Sequence, residues 1–188
     1  MTKKSSGTSH EKNAIELLKS DHEQVLQQFS RFEKIKDKEE DAKRDLVESV
    51  CSQLTVHAQI EEELFYPALR DVLEEKDLLD EALVEHDMAR QLIADIESME
   101  PDEDLYDAKF TVLGEYVRHH IEEEEKEIFA KAKKAGLDMD TLGADMRDRK
   151  HELMEELGMD IDEEGAQVSG LLQSKTKAEK KPGRHPRT

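Results

Sequence analysis

Apolar residues recur along this chain at steps of three and four as far as residue 134, the period of one face of an α-helix. The pattern predicts a first helix from Thr8 or Ser9 to about Lys36, opened by the capping-box pair Thr8 and Glu11. It carries Ala14, Leu18, Val25, Leu26, Phe29 and Phe32 inward. A polar turn over 37–41, with Asp37 as an N-cap candidate, leads to a second helix from about Glu40 to Tyr66, with Leu46, Val50, Leu54 and Leu64 on its inner seam. Pro67 has no donor for a helix interior, so the helix should kink or loosen there and the chain turn over 73–76. A third helix, capped by Asp77, carries Leu79, Leu83, Ala89, Ile93 and Ile96. A fourth follows the start signal Pro101-Asp102-Glu103-Asp104 and presents Phe110, Leu113, Val117 and Ile128. It ends with Lys131, Lys133 and Lys134 ahead of Gly136, which suits the negative end of a helix and a left-handed cap. Met139, Leu142, Met146, Leu153 and Leu157 then mark a short fifth helix over about 140–157, stopped by Gly158.

These elements predict an all-α fold: an up-down-up-down four-helix bundle over 10–135, an additional C-terminal helix within 136–158, a flexible N-terminus over 1–9 and a disordered tail over 159–188. The tail is basic at its end, through Lys175, Lys177, Lys180, Lys181, Arg184 and Arg187. It has no aromatic residue on which a base could stack, so a solvated end is the favoured reading over a nucleic-acid arm.

Composition sharpens the picture without changing it. A hydrophobic share of 36% beside a charged share of 40% would suggest disorder if the apolar residues were scattered, but they fall in register. The net charge of −19 argues against nonspecific binding of the body to nucleic acid or to an anionic membrane. Cys51 is the single cysteine, a small buried filler in this reading, so a metal site within one chain must use nitrogen and oxygen. No apolar run follows Lys3 and Lys4, and no stretch reaches membrane-spanning length; the expected location is cytoplasmic.

The chemistry lies in a repeated unit. His57-x-x-x-Glu61 and His120-x-x-x-Glu124 each put an imidazole and a carboxylate on one helix face, and His22 and His86 precede them by 35 and 34 residues. In an antiparallel hairpin, two residues share a level when their midpoint falls in the turn. The midpoint of His22 and His57 falls between Glu39 and Glu40 and that of His86 and His120 at Glu103, each in a predicted polar turn, and that of Gln59 and His86 falls between Val72 and Leu73, in the segment after Pro67. All six residues are thus expected at one level of the bundle.

A lone histidine in an apolar stripe is more often a hydrogen-bonded core residue than a ligand. Buried glutamates are different, because they require pairing or metal. A metal-free His–Glu hydrogen-bond network is the alternative at this point. His10, His119, His151 and His185 are weaker candidates. Glu62, Glu63, Glu122, Glu123 and Glu125 read as solvated faces, with Glu125 within reach if helix four rotates. Tyr66 and Tyr116 read as packing residues rather than as donors behind the ligands. Four imidazoles and two carboxylates are too many for one tetrahedral zinc and suit two metals of intermediate character. Iron fits best, with an oxo or hydroxo bridge, and manganese or zinc are possible substitutes.

The run His22, His57-x-x-x-Glu61, His86, His120-x-x-x-Glu124 resembles the bacterial hemerythrin-like, or HHE cation-binding, domain family over about residues 10–135. So do the phrases around His57 (His-Ala-Gln-Ile-Glu-Glu-Glu-Leu-Phe-Tyr-Pro) and His120 (His-His-Ile-Glu-Glu-Glu-Glu). The resemblance implies a non-haem di-iron centre held by the four histidines and bridged by Glu61 and Glu124. Oxygen-carrying members have a fifth histidine one turn after the helix-three ligand, where this chain has Arg90, and an aspartate in place of the last glutamate. The set found here looks more like the iron-cluster repair proteins of the same superfamily, although the cysteine-bearing N-terminal segment usual in them is not seen. The resulting expectation is a di-iron protein that binds or reduces oxygen, nitric oxide or peroxide in stress defence or sensing. An iron store or donor, and an interaction module with a structural metal, are the competing readings; the oligomeric state stays open.

Overall fold

The structure, a computed structural model, describes residues 12–37, 40–74 and 76–159. The expected flexible N-terminus, the Thr8–Glu11 cap, His10, His185 and the predicted tail beyond residue 159 lie outside the described residues.

Helix α1 spans Ala14–Ile35 and starts later than the capping pattern at Thr8 predicts. Asn13 is the N-cap, its side chain accepting from the Glu16 amide while the Glu16 carboxylate accepts from the Asn13 amide. Helix α2 spans Glu40–Ile60 and runs through a π-helical turn, Glu61–Phe65, into α3, Tyr66–Arg70. The loosening expected at Pro67 is present just ahead of it, and the chain turns after Arg70. The ladder has already widened by one residue at Glu61, and Pro67 opens the α-helical stretch that follows, where its missing N–H costs least.

Helix α4 spans Asp77–Glu97; Asp77 is its first residue rather than its cap, and Lys76 at the cap position makes no side-chain bond to the helix end. Helix α5, Tyr106–Glu123, follows Leu105, which is exposed and holds a left-handed φ of 75°. A second π-turn, Glu124–Ile128, leads into α6, Phe129–Lys134, and Gly136 closes it at φ 73°. Helix α7 spans Met139–Glu156 and stops before Gly158, at φ 66°.

Helices α1 and α2 pack together, as do α4 and α5, and contacts of α2 with α4 and of α1 with α5 close the four into an up-down-up-down ring. Helix α7 lies along α1 and α2. Its Gly143 permits the approach: a Cβ there would stand 2.5 Å from the Ala14 amide nitrogen and 2.7 Å from the Asn13 carbonyl carbon.

The core forms two apolar clusters. One gathers Leu18, Ile60, Phe65, Leu69, Leu79, Phe129 and Met146; the other gathers Phe29, Phe32, Val50, Cys51, Ile96, Phe110 and Leu113. Between them along the helices runs a layer of buried polar side chains: His22, His57, Glu61, His86, His120 and Glu124. Among the described residues, no helix is long and apolar enough to cross a membrane.

Candidate metal centre

All six residues singled out by the repeat meet in that layer. His22 Nε2 and His57 Nε2 are 3.1 Å apart, and His86 Nε2 and His120 Nε2 are 3.2 Å apart. Glu61 lies between the pairs, with Oε1 3.4 Å from His57 Nε2 and Oε2 3.4 Å from His86 Nε2. Glu124 leans to one side: Oε2 is 3.3 Å from His22 Nε2, and Oε1 accepts a bond of 3.1 Å from the Tyr66 hydroxyl. Neither oxygen of Glu61 has a hydrogen-bond partner, nor does Glu124 Oε2, although all three are buried.

The outer nitrogen of every ring faces a carboxylate. His22 Nδ1 meets Glu125 at 3.1 Å, His86 Nδ1 meets Glu62 at 2.8 Å and His120 Nδ1 meets Glu85 at 2.7 Å. His57 Nδ1 faces Asp21 at 3.5 Å, just beyond hydrogen-bonding geometry. Lys150 of α7 reaches the other Asp21 oxygen at 2.5 Å. Glu62 and Glu125 are thus corrected from solvated faces to half-buried braces, and Tyr66 from a packing residue to a donor. Asp21 and Glu85 were not among the predicted candidates. A signal for them existed: each directly precedes the upstream histidine of its repeat, as Glu62 and Glu125 directly follow the motif glutamates.

The two π-turns explain how Tyr66 gets there. Each begins at a motif glutamate, and the amide five residues on donates back to that glutamate's carbonyl, Tyr66 to Glu61 and Phe129 to Glu124. Residue five, rather than residue four, therefore comes under the glutamate. Tyr66 stacks on His86 at 5.7 Å and Phe129 on His22 at 5.8 Å between ring centroids, so the repeats match in shape but only one supplies a hydroxyl.

Arg90, at the fifth-histidine position, braces the centre from outside. Its guanidinium donates to the Glu62 oxygen that faces His86, and to Asp87. His119 is exposed beside Glu123 and His151 beside Glu155. Tyr116 is half-buried at the rim of a cavity of about 60 Å³ that opens onto all four site histidines, with Val25, Leu54, Ile93 and Val117 in its walls.

Electrostatics tests the fit to a cation. A carboxylate at Nδ1 of His22, His86 and His120 holds a proton on that nitrogen and turns Nε2 inward. Four inward Nε2 atoms then face each other and three carboxylate oxygens without a hydrogen-bond partner, a buried nitrogen and oxygen set that one or more cations would satisfy. Burial, then the neighbouring Glu124, pushes the Glu61 carboxyl well above the usual carboxylate range. Glu124 is also buried, but the His22 ring beside it holds its carboxyl down at about 2. Burial disfavours the charged His22 ring, yet Glu124, Glu61 and Glu125 raise it to about 9; His57, deprived of water, falls to about 4. One acid up and one down is what two carboxylates at one site produce.

The fold and this nitrogen–oxygen cluster define a cation-binding helical bundle. Residues 13–132 match the Hemerythrin HHE cation binding domain family, and the chain belongs to it. Among solved structures, an HHE cation binding domain-containing protein from Mycobacterium kansasii superposes with a TM-score of 0.67, covering 77% of this chain and 89% of that one at 21% identity. That identity establishes the shared fold alone. A protein named DNA nickase from Nostoc sp. is 25% identical over 118 residues, 63% of this chain; the match spans 33% of that relative's length.

Proposed function

We propose that the chain holds a non-haem dinuclear iron centre that binds or reduces a small ligand, oxygen, nitric oxide or peroxide, in stress defence or sensing. The observation that carries this reading is the buried cluster of four inward Nε2 atoms and unpartnered Glu61 and Glu124 oxygens beside a largely apolar cavity. His22 and His57 would hold one ion, and His86 and His120 the other. Glu61, with one oxygen toward each pair, has the position of a bridge, and Glu124 would complete the set from the His22 side. Iron suits imidazole and carboxylate together, with manganese or zinc able to substitute, and would supply electron transfer to the ligand.

The chain's own groups do the rest. Glu62, Glu85 and Glu125 fix three rings through Nδ1, and the cavity of about 60 Å³ admits a molecule of a few atoms while its apolar walls limit water. Tyr66 holds a hydroxyl proton on Glu124, available beside the site. Peroxide or nitric oxide reduction would make the protein an enzyme; binding alone would make it a sensor.

Anaerobic loading with ferrous iron, followed separately by oxygen, nitric oxide and peroxide with visible absorption as the readout, tests the proposal. A distinct spectrum with at least one ligand is expected, and no change with any of the three would sink it. Stoichiometry separates the storage reading: two tightly held ions support a centre, whereas many labile ones support a store.

A further inference from the structure

The repeat that builds the centre is broken at one place on the surface. Asp21, Val56 and Ile60 in the first half correspond to Glu85, His119 and Glu123 in the second, each residue preceding a ligand candidate by one. In the first half this patch is sealed: Val56 and Ile60 are 2% and 0% exposed, in a cluster with Met146 and Leu153 of α7, and Lys150 closes on Asp21. In the second half the His119 and Glu123 side chains are 61% and 55% exposed. Three ligand atoms, one each from Glu85, His119 and Glu123, lie within 4.8 Å of one another.

A cleft of about 20 Å³ runs between α4 and α5 beside this trio, and two of its members, Glu85 and Glu123, line it. Glu81, Glu85 and Glu123 line it toward the surface, and His120 and Glu124 line it toward the centre. Glu124 is 1% exposed, and its unpartnered Oε2 lies beyond the cleft, toward His22. The volume is about that of one water molecule, or of an ion shedding its hydration shell. Glu85 links both ends, since its Oε2 also accepts from His120 Nδ1 at 2.7 Å.

We infer that Glu85, His119 and Glu123 form a capture site that takes a divalent cation from solution and passes it along the cleft to His120 and Glu124. The inference rests on the dinuclear reading above, because it needs a destination. Two carboxylates and an imidazole can replace an ion's waters stepwise, and the overall charge of −19 raises the local concentration of cations.

The test is the rate of metal uptake by the full-length metal-free chain, with cobalt(II) as the probe, followed by stopped-flow visible absorption and finished by elemental analysis. The double variant His119→Ala/Glu123→Gln leaves Glu85 untouched, because that residue also braces His120. Its uptake rate constant at low salt is expected to fall about tenfold, the scale of electrostatic capture, with the two-ion endpoint and final spectrum unchanged. His151→Ala/Glu155→Gln, a pair of the same spacing on α7, serves as the control and should load like wild type. An uptake rate equal to wild type in His119→Ala/Glu123→Gln overturns the capture site alone, as does an endpoint reduced by that variant. A wild-type endpoint below two ions overturns the dinuclear reading and the inference with it.

Discussion

His22 and His57 present their Nε2 atoms to each other at 3.1 Å, while the opposite nitrogen of each ring points at an acid, Glu125 for one and Asp21 for the other. Such a pair needs a proton or a cation between the two nitrogens, and two apolar clusters flank the layer and can hold the bundle without metal. The metal-free chain should therefore be helical but less stable than the loaded one. With free metal at about a thousand times Kd the gain is about 4 kcal/mol, visible as a rise in Tm by circular dichroism. Glu61→Gln should fold and lose most of that rise; an equal rise in the variant would remove Glu61 from the site.

Tyr66→Phe removes the hydroxyl bonded to Glu124 and copies the residue already present at Phe129. In the metal-free chain, leaving Glu124 Oε1 without its donor should cost about 1–3 kcal/mol. The loaded protein should keep its metal count and change its absorption, since one carboxylate oxygen is released. An unchanged melting curve and spectrum would show that the bond contributes nothing.

Gly143→Ala puts a methyl group into the backbone of Asn13 and Ala14. The atoms it meets are main chain and cannot rotate away, so α7 should shift or detach, at about 1–3 kcal/mol. Limited proteolysis after Arg147 or Arg149 is the direct measurement: faster cleavage is expected, and wild-type resistance would mean that α7 accommodates the methyl by sliding.

Lys150→Met should sensitise the protein to acid. Burial alone would raise the Asp21 carboxyl, but Lys150, followed by His57, holds it below the ordinary aspartate value of 3.8. Stability from such a group is present above its unfolded value and is lost as pH falls through the lowered folded one. Without the ammonium, Asp21 protonates at higher pH, so the midpoint of acid unfolding should move upward, and Lys150→Arg should restore it. A midpoint common to all three proteins would show that the pair is not coupled to folding.

Cys51 is buried among Val47, Val50 and Phe110, and burial pushes its thiol up to about 12. Alkylation at neutral pH should be slow in the native chain and rapid in denaturant, because the thiolate is the reactive form. Mass spectrometry with iodoacetamide measures both.

The bundle and the level of the site were legible in the chain because burial and helical period are written residue by residue. Leu18, His22 and Val25 share a stripe, and the turn midpoints align the rest. The acidic runs were not legible in the same way. Glu61, Glu62 and Glu63 are chemically identical in sequence, yet the first is buried between the histidine pairs, the second braces His86 and the third reaches Arg149 on the surface. What separates them is the rotation of the chain through the π-turn, a feature of the backbone ladder that leaves no mark in composition. Thr8 and Asn13 both offer a capping-box spacing, and the spacing alone does not choose between them.

The bracing acids cross between the halves. Asp21 and Glu85 face the histidine of their own hairpin, but Glu62 serves His86 and Glu125 serves His22. Neither hairpin on its own could orient both of its imidazoles, so a chain carrying just one copy of the repeat would have to pair with a second copy to complete the centre. Carrying both copies in one chain makes that pairing intramolecular and lets the copies differ: one half has Tyr66 and a closed flank, the other Phe129 and an open one.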